Sequence, residues 1–99
     1  MSKRYFLIKL VSEEPISRED FARALTDVVR KYYGEIGLAH TNPRLIRFDS
    51  QRSEAIVACN GDESDKLQTA IALLSDVSDI NVAPLILRLS GTIRSLTKK

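Results

Sequence analysis

The sequence predicts an α/β (α+β) sandwich, a four-stranded antiparallel sheet with helices on one face. Three observations carry this. Four short stretches are rich in β-branched and apolar residues, and two longer ones repeat apolar residues at helical spacing. Their order is strand, helix, strand, strand, helix, strand. The length of 99 residues suits one domain with a single core and no need of metal or disulfide.

The elements follow in turn. "RYFLIKLV" (4–11) has no turn residue and reads as a strand. Arg4, Phe6, Ile8 and Leu10 share one face; Tyr5, Leu7, Lys9 and Val11 share the other. Pro15 ends it. Ser17 is a helix N-cap, and Glu19 and Asp20 sit in the first turn, where the helix dipole favours carboxylates. Phe21, Leu25, Val28, Val29 and Tyr32 then recur at helical spacing, so 18–33 is an amphipathic helix, with Gly34 as its stop. "GEIGLAHTN" (34–42) frames either one more helical turn or a turn-rich corner, closed by Pro43. "RLIRFDS" (44–50) and "EAIVACN" (54–60) form a hairpin across "SQRS". Asp62 caps a second helix with the buried stripe Leu67, Ala70, Ile71, Leu74 and Val77. "NVAPLILRL" (81–89) is the last strand, and Pro84 suits an edge because proline cannot donate to a ladder. This is the ferredoxin-like plan, shared with RRM-like modules. Residues 1–99 read as one such domain.

The net charge of +2 conceals a segregation. The first twelve residues carry Lys3, Arg4 and Lys9 and no acid. Residues 80–99 carry Arg88, Arg94, Lys98 and Lys99 and no acid, which leaves 8 bases against all 13 acids between them. In the predicted topology the first and last strands are antiparallel neighbours, so the two basic ends meet at one corner. Clustered Lys and Arg are the footprint of phosphate-backbone binding. At Ser90-Gly91-Thr92 the glycine permits close backbone approach and two hydroxyls can donate to phosphate. The same three residues also fit a strand-ending turn that caps a short final helix. Arg44 and Arg47 either extend the basic surface or are ordinary outward-facing strand residues.

The sequence holds little that reads as catalytic. His40 has no companion histidine or cysteine. Cys59 lies mid-strand among small and apolar residues and reads as a buried hydrophobe; a single cysteine fits a reducing, cytoplasmic setting. Asp62, Glu63 and Asp65 are explained by their place in a first helical turn. There is no phosphate-loop, dinucleotide or zinc spacing. No segment approaches the ~20 apolar residues of a membrane helix, so no membrane association is expected. The third strand lacks the aromatics on which RRM modules stack bases, which favours backbone contact over base stacking.

"GEIGLA" (34–39), "AIVAC" (55–59), "LQTAIALL" (67–74) and "LRLSGTIR" (87–94), with "RYFLIKL" at the N-terminus, occur in an order that resembles the ribonuclease P protein component 2 family over nearly the whole chain. That resemblance implies an RRM-like, non-catalytic subunit of a ribozyme whose RNA removes the 5′ leader of precursor tRNA. Magnesium would be held by the RNA and no cofactor by the protein. It further implies an archaeal setting and pairing with component 3, a TIM-barrel-like subunit. Self-association is also implied, and its candidate contact is the corner at Gly34, Ile36, Gly37 and Leu38, whose apolar residues could equally just cover the sheet. The RNA-facing candidates are Lys3, Arg4, Arg44, Arg47, Arg88, Ser90, Gly91, Thr92, Arg94, Lys98 and Lys99. Two rivals use the same topology: an acylphosphatase-like enzyme gripping phosphate, and an effector-binding or protein-assembly domain. Against the enzyme, "SEEPISRED" places acids where a phosphate loop would follow the first strand.

Overall fold

The computed structural model describes residues 2–97. The chain runs β1 (Lys3–Ser12), α1 (Arg18–Thr41), β2 (Arg44–Asp49), β3 (Glu54–Asn60), a 3-10 turn (Gly61–Glu63), α2 (Ser64–Leu73), β4 (Asp76–Val77), β5 (Ile80–Ser90) and α3 (Ile93–Thr97). The strands form a single sheet in the order β2-β3-β1-β5-β4, antiparallel throughout. The four long strands keep the ferredoxin-like arrangement, with β1 central between β3 and β5.

Alternation in β1 sets the layers. Phe6, Ile8 and Leu10 are buried against the helices, joined by Ala55, Val57 and Cys59 of β3. From α1 come Phe21, Leu25, Val28 and Val29, and from α2 Leu67, Ala70 and Ile71. Each large aliphatic or aromatic side chain so buried contributes about 1.5–3 kcal/mol. Phe21 meets Phe48 of β2 at 6.0 Å between ring centroids, which ties the first helix to the edge strand. Ser17 caps α1 as expected, accepting from the Asp20 amide at 3.1 Å.

Three expectations are corrected. The sheet has five strands, not four: Val77 leaves the α2 stripe and pairs with Ile80 in a two-residue strand, yet stays buried. The helical spacing continues past the real end of α2 because a buried position on the following strand falls in phase with it. Second, a 3-10 turn begins the helical region at Gly61, and α2 itself starts at Ser64 without a side-chain cap. Third, the helices are not confined to one face. α1 and α2 cover the core face, whereas α3 packs on the opposite face, where Leu96 is only 2% exposed beside Leu7 and Ile56.

The ambiguous segment after Tyr33 is helical, but it is a second helical piece. Gly34 breaks α1 with φ 73° and ψ −177°, a conformation open essentially to glycine alone. Arg30 braces the break, donating to Glu35 Oε2 at 3.0 Å and to Asp27 Oδ1 at 3.1 Å. Asn42, in the left-handed region, closes the helix by donating its amide to Leu38 O at 2.8 Å.

Candidate nucleic-acid interface

The side chains that face away from α1 and α2 fall into transverse rows across the sheet. Arg44, Ala58, Tyr5 and Ser90 are successive partners on β2, β3, β1 and β5. One step along, Arg47, Ile56, Leu7 and Arg88 form the next row. Asp49, Glu54, Lys9 and Leu85 form the third. With strands about 4.8 Å apart, each row is about 14 Å wide. Two rows therefore begin on an arginine of the edge strand, and the middle row has one at each end.

The predicted meeting of the termini is present. Lys3 pairs with Asn60, Arg4 with Cys59, and Tyr5 with Ser90, so the start of β1 lies beside the end of β5. Lys3 and Arg94 are exposed, and Arg4 is half-buried. Lys98 and Lys99 lie outside the described residues. Ser90 and Thr92 have structural work: the Ser90 hydroxyl accepts from the Thr92 amide, and the Thr92 hydroxyl accepts from the Ser95 amide, both at 3.2 Å. Thr92 is thus the N-cap of α3. Among the described residues nothing stands within 4 Å of the space a side chain on Gly91 would take, so that side is open to an approaching backbone.

Arg4 and Arg44 flank the end of β3 from either side. Arg44 Nε turns back to donate to Asn42 O at 3.4 Å, near the carbonyl end of α1, where a cation is favoured. Arg4 Nε and Arg44 Nη2 are buried with no hydrogen-bond partner among the described residues, as is Thr41 Oγ1. Burial pushes the Cys59 thiol up to about 11, and both guanidinium charges oppose that shift. The cysteine is therefore neutral, buried and inert at physiological pH. Among the described residues no group of three or more His, Cys, Asp or Glu is placed to hold a metal, and no helix is long and apolar enough to cross a membrane.

In the 34–38 segment the residues separate. Ile36 is 75% exposed, Leu38 packs partly on the core, and Gly37 is buried. Gly37 has a packing role, since a Cβ there would lie 2.4 Å from Tyr33 Cβ. That Leu96, Ile56 and Arg52 share a cleft has no local signal in the chain, because that proximity depends on α3 folding back across the sheet.

The fold and these surfaces define an RRM-like α/β sandwich with a basic free face and a basic strand-end corner. The chain belongs to the Rpp14/Pop5 family, whose model matches residues 4–99. It is 34% identical over 97 residues to ribonuclease P protein component 2 of Archaeoglobus fulgidus, covering 98% of this chain and 86% of that protein. The protein of the same name from Pyrococcus furiosus is 29% identical, covering 98% and 81%. That from Methanothermobacter thermautotrophicus is 32% identical, covering 98% and 83%. A chain in the cryo-EM structure of yeast ribonuclease MRP superposes with a TM-score of 0.76 over 92% of this chain and 75% of its own, at 16% identity; that likeness is one of fold.

Proposed function

We propose that this protein is a non-catalytic subunit of ribonuclease P, which binds and supports the catalytic RNA during removal of the 5′ leader from precursor tRNA. The observation that carries the reading is the match of residues 4–99 to the Rpp14/Pop5 family, with archaeal relatives named for ribonuclease P aligned along nearly the whole chain. The basic surface agrees with it. Lys3, Arg4, Arg44, Arg47, Arg88 and Arg94, together with Lys98 and Lys99, would neutralise phosphates where catalytic RNA and substrate repel each other, and the Ser90-Gly91-Thr92 turn would donate hydrogen bonds to them. Magnesium would sit on the RNA. Component 3 is the expected protein partner. Ile36, exposed between Gly34 and Gly37 with Leu38 behind it, is the proposed contact between copies of this subunit. The setting is the cytoplasm of an archaeal cell.

The test is affinity purification of the tagged chain from its own cells, with sequencing of the bound RNA. One structured RNA that cleaves precursor tRNA in magnesium is the expected result, and the co-purified proteins identify the partners. Recovery of no specific RNA at any salt concentration would overturn the reading. Acyl-phosphate turnover that vanishes on Arg4→Gln would replace it with the enzyme alternative.

A further inference from the structure

The free sheet face carries a cleft that phosphate contact alone leaves unused. Leu7 and Ile56 form its floor, and Leu87 of β5 and Leu96 of α3 add apolar walls. Arg47, Arg52 and Arg88 line it together with the carboxylates of Asp49 and Glu54. Its volume is about 390 Å³, inside the ~300–1,000 Å³ range of small-ligand sites. The row Arg47–Ile56–Leu7–Arg88 thus puts a guanidinium-bearing residue at each end of an apolar floor.

The geometry points to a site for one unpaired nucleotide of an RNA strand, its base against Leu7, Ile56 and Leu96 and its phosphate among the arginines. A base has two apolar faces and a polar edge, and the cleft offers the same combination. The leucines and isoleucine accept a face, Glu54 can accept from an exocyclic amino group, and Arg47 matches a phosphate or stacks on the ring. A purely apolar ligand would match the floor but not the charged side chains that line the rim. A continuous duplex keeps its bases stacked inside and cannot present a face to the floor. The inference rests on the RNA-binding reading above and narrows it, from phosphate contact to a single-stranded segment with one base turned out. It also supplies a base-binding surface on a sheet whose third strand lacks aromatics.

The experiment titrates the whole protein with a short single-stranded RNA of mixed sequence and, separately, with a blunt RNA duplex, following backbone amides by NMR. The single strand is expected to shift Leu7, Ile56 and Leu96, and the duplex to leave them in place. Leu87→Trp fills the cleft from a position that is 48% exposed, so the core is untouched. It should weaken the single strand by about tenfold, the worth of one base face buried on an apolar floor. Arg47→Gln, also on an exposed residue, leaves the cleft open and should weaken the single strand more than the duplex. If Leu87→Trp and Arg47→Gln bind the single strand as the parent does, the cleft is not a nucleotide site and Arg47 makes no phosphate contact, while the contacts proposed for the strand-end corner stand. If neither RNA binds the parent protein, both readings fall together.

Discussion

Gly34 and Gly37, three positions apart, are required for different physical reasons. Gly34 is needed for its backbone: its φ of 73° is strained for any other residue, although the space around it is open. Gly37 is needed for its missing side chain, since a Cβ would meet Tyr33 Cβ. Gly34→Ala should cost about 1–3 kcal/mol through strain, and Gly37→Ala a similar about 1–3 kcal/mol through overpacking. Urea unfolding measures both. They separate by NMR, where Gly37→Ala should displace the Tyr33 ring and Gly34→Ala should shift the backbone of 33–36. Cys59 makes a second prediction at this scale. Its thiol ionises at about 11 when folded against an ordinary value of 9.0. Between those values the folded chain keeps a proton that the unfolded chain has lost. Its contribution is therefore complete below pH 9 and disappears as the pH rises toward 11. Urea midpoints at the two ends of that window should fall less for Cys59→Ala than for the parent; equal falls would mean that the thiol does not titrate as described.

At the scale of the element, α3 is the informative piece. Five residues cannot hold a helix in water on their own. This one is held at its start by the Thr92 cap and by the burial of Leu96 against the free sheet face. Leu96→Ala should cost about 2 kcal/mol or more and should release α3 specifically. Amide hydrogen exchange at 94–97 should then approach the free-chain rate while Phe6 and Ile8 remain protected. Matching acceleration in β1 would mean that α3 unfolds only with the whole domain. β5 has its own asymmetry. β4 pairs only with Ile80 and Asn81, so from Ala83 onward β5 has no strand beyond it among the described residues. Pro84 lies in that stretch, which is where a residue without an N–H is tolerated.

At the scale of the whole molecule, the charge distribution is the physical quantity to measure. Neutralising about four to six phosphates predicts log affinity for RNA falling with log salt at a slope of roughly −3 to −5. Arg94→Gln should flatten that slope by about one and weaken binding alike for all sequences. An unchanged slope would remove Arg94 from the interface. Of the cleft variants, Leu87→Trp should change the preference for single strands with little effect on the salt dependence, because a base face releases no counterions, whereas Arg47→Gln should also flatten the slope by about one.

The sequence by itself determined the order of the six main elements, the sorting of β1 residues onto two faces, the capped start of α1, the burial of Cys59 and the separation of charge into the two ends. All of these are local: they follow from alternation, helical spacing, caps and the positions of charged residues. The meeting of the two ends followed once the topology was assigned, since that plan makes the first and last strands neighbours. Only the tertiary structure decided the fifth strand, the side of the sheet that α3 covers and the cleft beside Leu96. Val77 continues the α2 spacing whether or not the helix does, and nothing within "TIRSLT" says which distant surface Leu96 will find. Such contacts are fixed by what remains exposed after the sheet has closed. Here that was the apolar floor of Leu7 and Ile56, framed by arginines from β2 and β5.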